Sequence, residues 1–317
     1  MEKSLIQEHI PLKNKNWFQT GGQARFLAEP ATVEQFAQSL NFANKNGLEL
    51  FILGEGANIL ISDDGFDGLV IKPGLQQISH QEYDRDHELV HAQAGVSIEI
   101  LINYCLENNI IGLEEFSGIP GTVGGSAYIN IHYFQFFLSD FLHEAQIIHK
   151  QTGNIETVTK DWFNFGYDTS KLFEKEYFLV QATFKLKKVT PLESAYAAGR
   201  SVEIIRHRNA RYPNTHTCGS FFRNFFDSEV ILTIAGTNKK MIYVAYYLDK
   251  IGVKGNLSVG DASVSHKHAN MLINTGNATS TDIVNLAKQM QQLVQKKFRI
   301  TPQPECQLIG FKEYPLL

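Results

Sequence analysis

At 317 residues, with 43% hydrophobic and 20% charged side chains, the chain has the make-up of a globular protein and the length for two domains. A formal charge of −4 argues against a general nucleic-acid binder, no apolar run reaches the roughly eighteen residues of a membrane span, and residues 1–11 lack the apolar core of a secretory signal, so a cytoplasmic location is expected. The three cysteines, Cys105, Cys218 and Cys306, are too scattered for a disulfide framework, and the eleven histidines form no HExxH pattern, so no metal site is expected.

In chain order, the first clear element is a helix over residues 32–46. Thr32 and Gln35 make a capping box, Val33, Phe36, Ala37, Leu40 and Ala43 form an apolar stripe, and Gly47 stops it. Residues 50–53 read as a strand entering a glycine-rich turn, and residues 59–61 and 69–71 as strands beyond it. That turn joins strands, unlike the strand–GxGxxG–helix unit of dinucleotide folds. A second amphipathic helix spans 97–109 on Ile98, Leu101, Ile102, Cys105 and Leu106. Segments 145–149 and 177–187 are β candidates. Around 186–195 the composition turns charged and includes Pro191, which places a domain boundary there: 1–190 and 191–317. Beyond it, helices are expected over 196–211, 240–251 and 282–298, with an aromatic stretch at 221–226. Thr279 and Asp282 cap the last helix, and Ile283, Leu286, Ala287, Met290, Leu293 and Val294 keep its period.

The stretch Gly118-Ile-Pro-Gly-Thr-Val-Gly-Gly-Ser126 holds four glycines and a proline in nine residues, too many for a helix or strand interior. Such a loop presents consecutive N–H groups to a diphosphate; the plainer alternative is a pair of tight turns. Upstream lies a second glycine turn, Leu53-Gly-Glu-Gly-Ala-Asn58. Two such loops suit a cofactor with two phosphates.

These two loops recur in order with Trp17-Phe-Gln-Thr-Gly-Gly22, Glu29-Pro30 and Ser62-Asp-Asp-Gly-Phe-Asp-Gly-Leu69. The second half adds Cys218-Gly-Ser-Phe-Phe-Arg-Asn224, Gly252-Val-Lys-Gly255, Lys267-His-Ala-Asn270, Ala278-Thr279, and Glu305 before Gly310. On these motifs the chain resembles the UDP-N-acetylenolpyruvoylglucosamine reductase family over nearly its full length. The resemblance implies an α+β fold, with an N-terminal FAD-binding domain of the vanillyl-alcohol-oxidase (PCMH) type and a C-terminal α/β substrate-binding domain. It implies FAD and NADPH as cofactors and reduction of UDP-N-acetylglucosamine enolpyruvate to UDP-N-acetylmuramate for peptidoglycan. The protein is expected to be a monomer with no nucleic-acid or membrane partner. The same fold acting on another substrate, and a non-catalytic homologue that binds FAD or a nucleotide sugar, are the alternatives.

By motif, Gly54, Gly56, Ala57, Asn58, Pro120, Gly121, Thr122, Gly124 and Gly125 would line FAD, with Ala57 in place of the usual serine. Ser220 matches the family's proton donor, a weak acid that needs help from its surroundings. Glu305 matches the carboxyl group that steadies the intermediate, for which a raised pKa is expected if it is buried. Arg211 and Asn224 match substrate contacts. The arginines over 200–211 suit either uridine diphosphate or a solvated helix face.

Two departures stand out. Where the family has arginine in a Gly-Tyr-Arg-x-Ser pattern, this chain reads Gly166-Tyr-Asp-Thr-Ser170, so Asp168 reverses the charge expected beside the substrate carboxylate. A neighbouring cation such as Lys171 or Arg223 takes over, or Asp168 turns away, or the reaction is changed or lost. After the long loop, the family's Asn-Ala-Gly-Ala-Tyr/His-Gly becomes Asn130-Ile-His-Tyr-Phe-Gln-Phe-Phe-Leu138, with bulky rings for small residues. Because Ser220, Glu305 and the glycine loops remain, both departures read as one reshaped site.

Overall fold

The structure, a computed structural model, describes residues 5–317. It is α+β, and the chain forms two compact units. The first comprises the segment ending at Ile10 with Arg25–Glu55 and Asp67–Arg208; the second comprises Pro11–Ala24, Gly56–Phe66 and Asn209–Leu317. The sequence places the cut at 190/191 with an unbroken N-terminal half, whereas the compact units change over at 208/209 and two early segments belong with the C-terminal half.

The first unit is built on two sheets. One runs in the order Ile6–Pro11, Gln23–Ala28, Phe66–Ile71, Glu49–Ile52. Helix α1, Val33–Lys45, lays Phe36, Leu40 and Ala43 into a core with Leu69, Ile71 and Ile148. Thr32 accepts the Gln35 N–H, but the Gln35 side chain returns to the N–H of Ala31, one residue before the cap. The other sheet is antiparallel, ordered Ile155–Thr159, Leu142–His149, Tyr177–Lys188, His87–Gln93, Ile78–Glu82. In His87–Gln93 burial alternates residue by residue, so Val90 and Ala92 face the core, as the two-residue period of a strand requires.

Packed with this sheet are α2, Ile98–Glu107, capped by Ser97, and α3, Val123–Ile129. The second helix overturns the reading that 118–126 holds too many glycines for a helix. Gly124 and Gly125 lie in its first turn, where Thr122 caps the Gly125 N–H and a side chain at 124 would press on the Ala94 carbonyl at 3.1 Å. Helix α4, Pro191–Arg211, starts five residues before the expected 196. Thr190 and Glu193 cap it reciprocally, and Pro191, read as a boundary marker, occupies the first helical position, where its missing N–H costs nothing.

In the second unit, Ile59–Ile61 pairs in parallel with Gln307–Ile309, and Ser258–Val259, Ala262–Val264 and Leu272–Asn274 form a small antiparallel sheet. Helix α5 is shorter than expected, Val244–Lys250 rather than 240–251, because Lys240 bridges to Thr233 instead. Helix α6, Ser280–Phe298, has the Thr279/Asp282 capping box and buries Ile283, Leu286, Ala287, Met290 and Val294. Leu293 stays exposed, and the fully buried Gln291 bonds the carbonyl of Pro302 and the N–H of Leu317. Phe18 and Leu60 from the early segments sit in the same core as this helix.

Candidate active site

The residues carried over for FAD fall in both units. In the first, Gly54 packs directly on the second loop, since a side chain there would meet Thr122 Oγ1 at 2.7 Å. Gly121 has φ +154°, a backbone that a side chain rarely adopts. Beside Gly54, the Glu55 carboxylate accepts the Gly121 N–H, and burial raises its pKa although Gly121 and Lys72 work the other way. The loop is not an open row of N–H donors, as the sequence suggested. Val123 and Gly124 donate to Val96 and Ala94, Gly125 to Thr122 Oγ1, and Ser126 to the Thr122 carbonyl.

What the loop does offer is a glycine-lined seat and the buried Ser126 Oγ, which has no partner. In the second unit Gly56, at φ +69°, leaves no room for a side chain against Asn16, and the neighbouring Asn58 Oδ1 is buried and unpartnered. Buried oxygens left without partners are uncommon and fit a bound polar group. The residues present therefore fit FAD.

Ser220 and Glu305 are brought together by backbone pairing within the second unit. Phe222 bridges antiparallel to Pro304, the Glu305 N–H donates to the Phe221 carbonyl at 2.9 Å, and the Arg223 N–H to that of Gln303. Gly219, at φ +77°, turns the chain into this segment. Asn270, a residue given no role from sequence, clamps it from the other side: its Oδ1 accepts the Phe222 N–H and its Nδ2 donates to the Phe222 carbonyl. Lys267 in the same motif donates to the Asn209 carbonyl. His268 is neutral at its Nδ1, which accepts the Asn270 N–H, and burial lowers its pKa.

The arginines of α4 divide. Arg200 grips Glu115 through two hydrogen bonds, Arg206 meets Glu203, and Arg208 donates to the Gly118 carbonyl, so these three have structural partners. Arg211, the last residue of the helix, is exposed and lies over the Tyr212 ring at 5.8 Å. Asn224 uses its Oδ1 to cap the N-terminus of α5 at Val244.

Both cations anticipated for Asp168 have other partners. Lys171 lies over the Trp162 ring at 4.8 Å, and Arg223 pairs with Glu229 at 2.7 Å. Asp168 instead meets His132, with Oδ1 3.4 Å from Nδ1. The two departures from the family pattern are thus in contact, as the sequence reading of one reshaped site expects.

Among the described residues no helix is long and apolar enough to cross a membrane. Residues 24–159 match the FAD binding domain family, and residues 211–309 match UDP-N-acetylenolpyruvoylglucosamine reductase, C-terminal domain. The chain is 32% identical over 307 residues to UDP-N-acetylenolpyruvoylglucosamine reductase of Clostridium botulinum (strain 657 / Type Ba4), covering 96% of this chain and 92% of that one. The protein of the same name from Trichormus variabilis is 32% identical over 294 residues, 92% and 83% of the two chains. The fold is similar to the crystal structure of the reductase from Thermus caldophilus, with a TM-score of 0.74 at 24% identity over 95% of this chain and 98% of that one.

Proposed function

The chain belongs to the UDP-N-acetylenolpyruvoylglucosamine reductase family, and we propose how its residues divide the labour of that family's reaction. The reaction is the FAD-dependent, NADPH-driven reduction of UDP-N-acetylglucosamine enolpyruvate to UDP-N-acetylmuramate in peptidoglycan synthesis. FAD, when bound, would supply the hydride chemistry between NADPH and the enolpyruvyl double bond. The protein's own tasks are to orient the substrate, supply a proton at the carbon bearing the ether oxygen, and stabilise the charge that develops before it arrives.

Ser220 is the proton donor and Glu305 the group that steadies the developing charge. The observation that carries this assignment is the Glu305 N–H to Phe221 carbonyl bond, which holds the two segments in register. A serine hydroxyl is a weak acid, so it works only at a fixed distance from groups that share the proton's charge. The Asn270 clamp on Phe222 supports that fixed position. Gly54, Gly56, Ala57, Asn58, Pro120, Gly121, Thr122, Gly124 and Gly125 hold FAD. Arg211 and Asn224 contact the sugar nucleotide. The FAD-binding domain is taken as residues 1–190 and the substrate domain as 191–317, which the family matches over 24–159 and 211–309 support. The chain acts in the cytoplasm as a monomer, without a nucleic-acid or membrane partner; the net charge of −4 supports the exclusion of nucleic acid.

Anaerobic stopped-flow absorbance tests the reaction. NADPH is expected to bleach the flavin, and UDP-N-acetylglucosamine enolpyruvate to restore it. The charge reversal at Asp168 favours a second reading, the same flavin chemistry on another oxidant. Bleaching without recovery would select it, and failure of the protein to take up FAD would leave only a binding role.

A further inference from the structure

One N–H group of the long glycine loop is given to a side chain that can move. Those of Ile119, Val123, Gly124 and Ser126 go to backbone carbonyls, and that of Gly125 goes to the cap, Thr122. The N–H of Gly121 goes to the carboxylate of Glu55. The first unit holds these two residues side by side. Gly54 packs on Thr122 Oγ1, the Gly121 carbonyl accepts the Ile98 N–H at 2.9 Å, and Ser97 bridges to Thr122, so the loop is tied both to the Gly54–Glu55 turn and to the start of α2.

A second observation marks the same place. The Ser126 hydroxyl is 2% exposed and has no partner, and its Oγ lies 3.5 Å from the point that a side chain on Gly121 would occupy. A hydroxyl shut away from water without a partner is uncommon and fits a ligand atom beside it. An N–H that already binds a carboxylate, with a hydroxyl next to it able to donate, is a seat for an anion. Glu55 is thus an internal anion on a donor that suits a phosphate oxygen equally well.

We propose that Glu55 competes with the FAD diphosphate for the Gly121 N–H, and that it takes up one proton from solvent as that donor passes to the cofactor. The proposal rests on the reading that FAD binds at this loop. No covalent bond changes except the O–H formed on the carboxyl group. Two anions so close to one donor repel each other, and of the two only the side chain can be neutralised near pH 7. Burial already raises the Glu55 pKa, which makes the proton easier to take up than on a carboxylate in water. Two charged neighbours bear on it. Lys72, just beyond strand Phe66–Ile71, favours the ionised form, and Glu99, in the first turn of α2, favours the protonated one.

The test is calorimetric titration of the full-length apoprotein with FAD from about pH 5.5 to 8.5, in paired buffers of different ionisation enthalpy, so that proton uptake is counted alongside affinity. The diphosphate stays ionised across this range, so a proton taken up belongs to the protein. For the wild type, uptake approaching one proton is expected between the Glu55 pKa of the free protein and its higher value in the complex, with Kd rising by up to about tenfold per pH unit there. Below that interval Glu55 is already protonated and affinity is highest; above it affinity is low and level. Glu55→Gln cannot ionise, so its Kd should stay level, match the wild type at the acid end and be about tenfold or more tighter at the alkaline end, without proton uptake. Glu55→Ala should lose the uptake as well. Wild-type binding with no uptake and a level Kd overturns the proposal, whether or not the variants fold. The same uptake in both variants overturns it too, because another group then titrates. Weaker binding by Glu55→Gln at every pH makes Glu55 a contact of the cofactor rather than its competitor, which also overturns it. Absence of FAD binding by the wild type at every pH overturns the cofactor reading itself, and the role of Glu55 with it.

Discussion

Glu55 sits between Gly54 and Gly56 with its carboxylate on the Gly121 N–H, half removed from water. Burial is the largest influence on it and raises its folded-state pKa above the ordinary carboxylate value. The folded chain thus binds this proton more tightly than the unfolded chain does. Ionised Glu55 therefore opposes folding above its raised pKa, and the cost disappears as the pH falls below the ordinary carboxylate value. Glu55→Gln keeps an acceptor for Gly121 and is expected to raise the thermal midpoint of the flavin-free protein at pH 7, with no difference near about pH 4. An unchanged or lower midpoint at pH 7 would mean the carboxylate is better solvated than its position suggests. At Ser220, removal of the hydroxyl by Ser220→Ala is expected to slow flavin reoxidation by the enolpyruvate about 10²–10⁴-fold, the usual worth of a positioned proton donor. A loss under tenfold would move the donor role elsewhere. Single residues of this kind were legible only through motif order. Ser220 and Glu305 could be named from sequence, but the backbone bond that pairs their segments could not. Asn270 lay in a quoted motif without a role, because nothing local tells a surface amide from one that clamps a neighbouring strand.

Helix ends show what a sequence carries and where it stops. The capping boxes at Thr279/Asp282 and Thr190/Glu193 are both spelled in adjacent residues. The first was read correctly, and the second was missed because Pro191 looked like a breaker rather than a helix starter. Helix α3 was missed for a different reason. Two glycines cost roughly 1 kcal/mol each in a helix, and the compensation comes from Thr122 and from Ala94, which lies outside the segment. The N-terminus of α6 adds a long-range cap that no local pattern reveals. Asp63 accepts the N–H groups of Ser280 and Thr281, while Thr279 Oγ1 takes that of Asp282. Thr279→Ala is expected to cost about 1 kcal/mol in urea unfolding. Asp63→Ala should cost at least as much, since it strips two donors and removes a negative charge from the positive end of the helix. If Asp63→Ala unfolds at the same urea concentration as the wild type, water replaces that cap without loss.

At the scale of the chain, two units were legible from length and from the charged stretch near Pro191, but their true membership was not. Composition marks a linker, yet 11–24 and 56–66 look like any other part of the N-terminal half. They belong with the C-terminal residues because Ile59–Ile61 pairs with Gln307–Ile309, because Phe18 and Leu60 fill the core around α6, and because Asp63 caps that helix. Asn274 adds a buried amide bond to the Phe18 carbonyl. A fragment starting at residue 191, the boundary the sequence suggests, would therefore carry an unpaired strand, an open core and a helix without its Asp63 cap. That fragment, 191–317, is expected to lack cooperative unfolding by circular dichroism and to show poorly dispersed amide resonances. Adding the 56–66 peptide in excess should restore part of the order, because it returns the parallel strand, Leu60 and Asp63 together. A cooperatively folded 191–317 fragment would show that the strand pairing and the cap are additions to a self-sufficient core, and that the early segments are held by it rather than completing it.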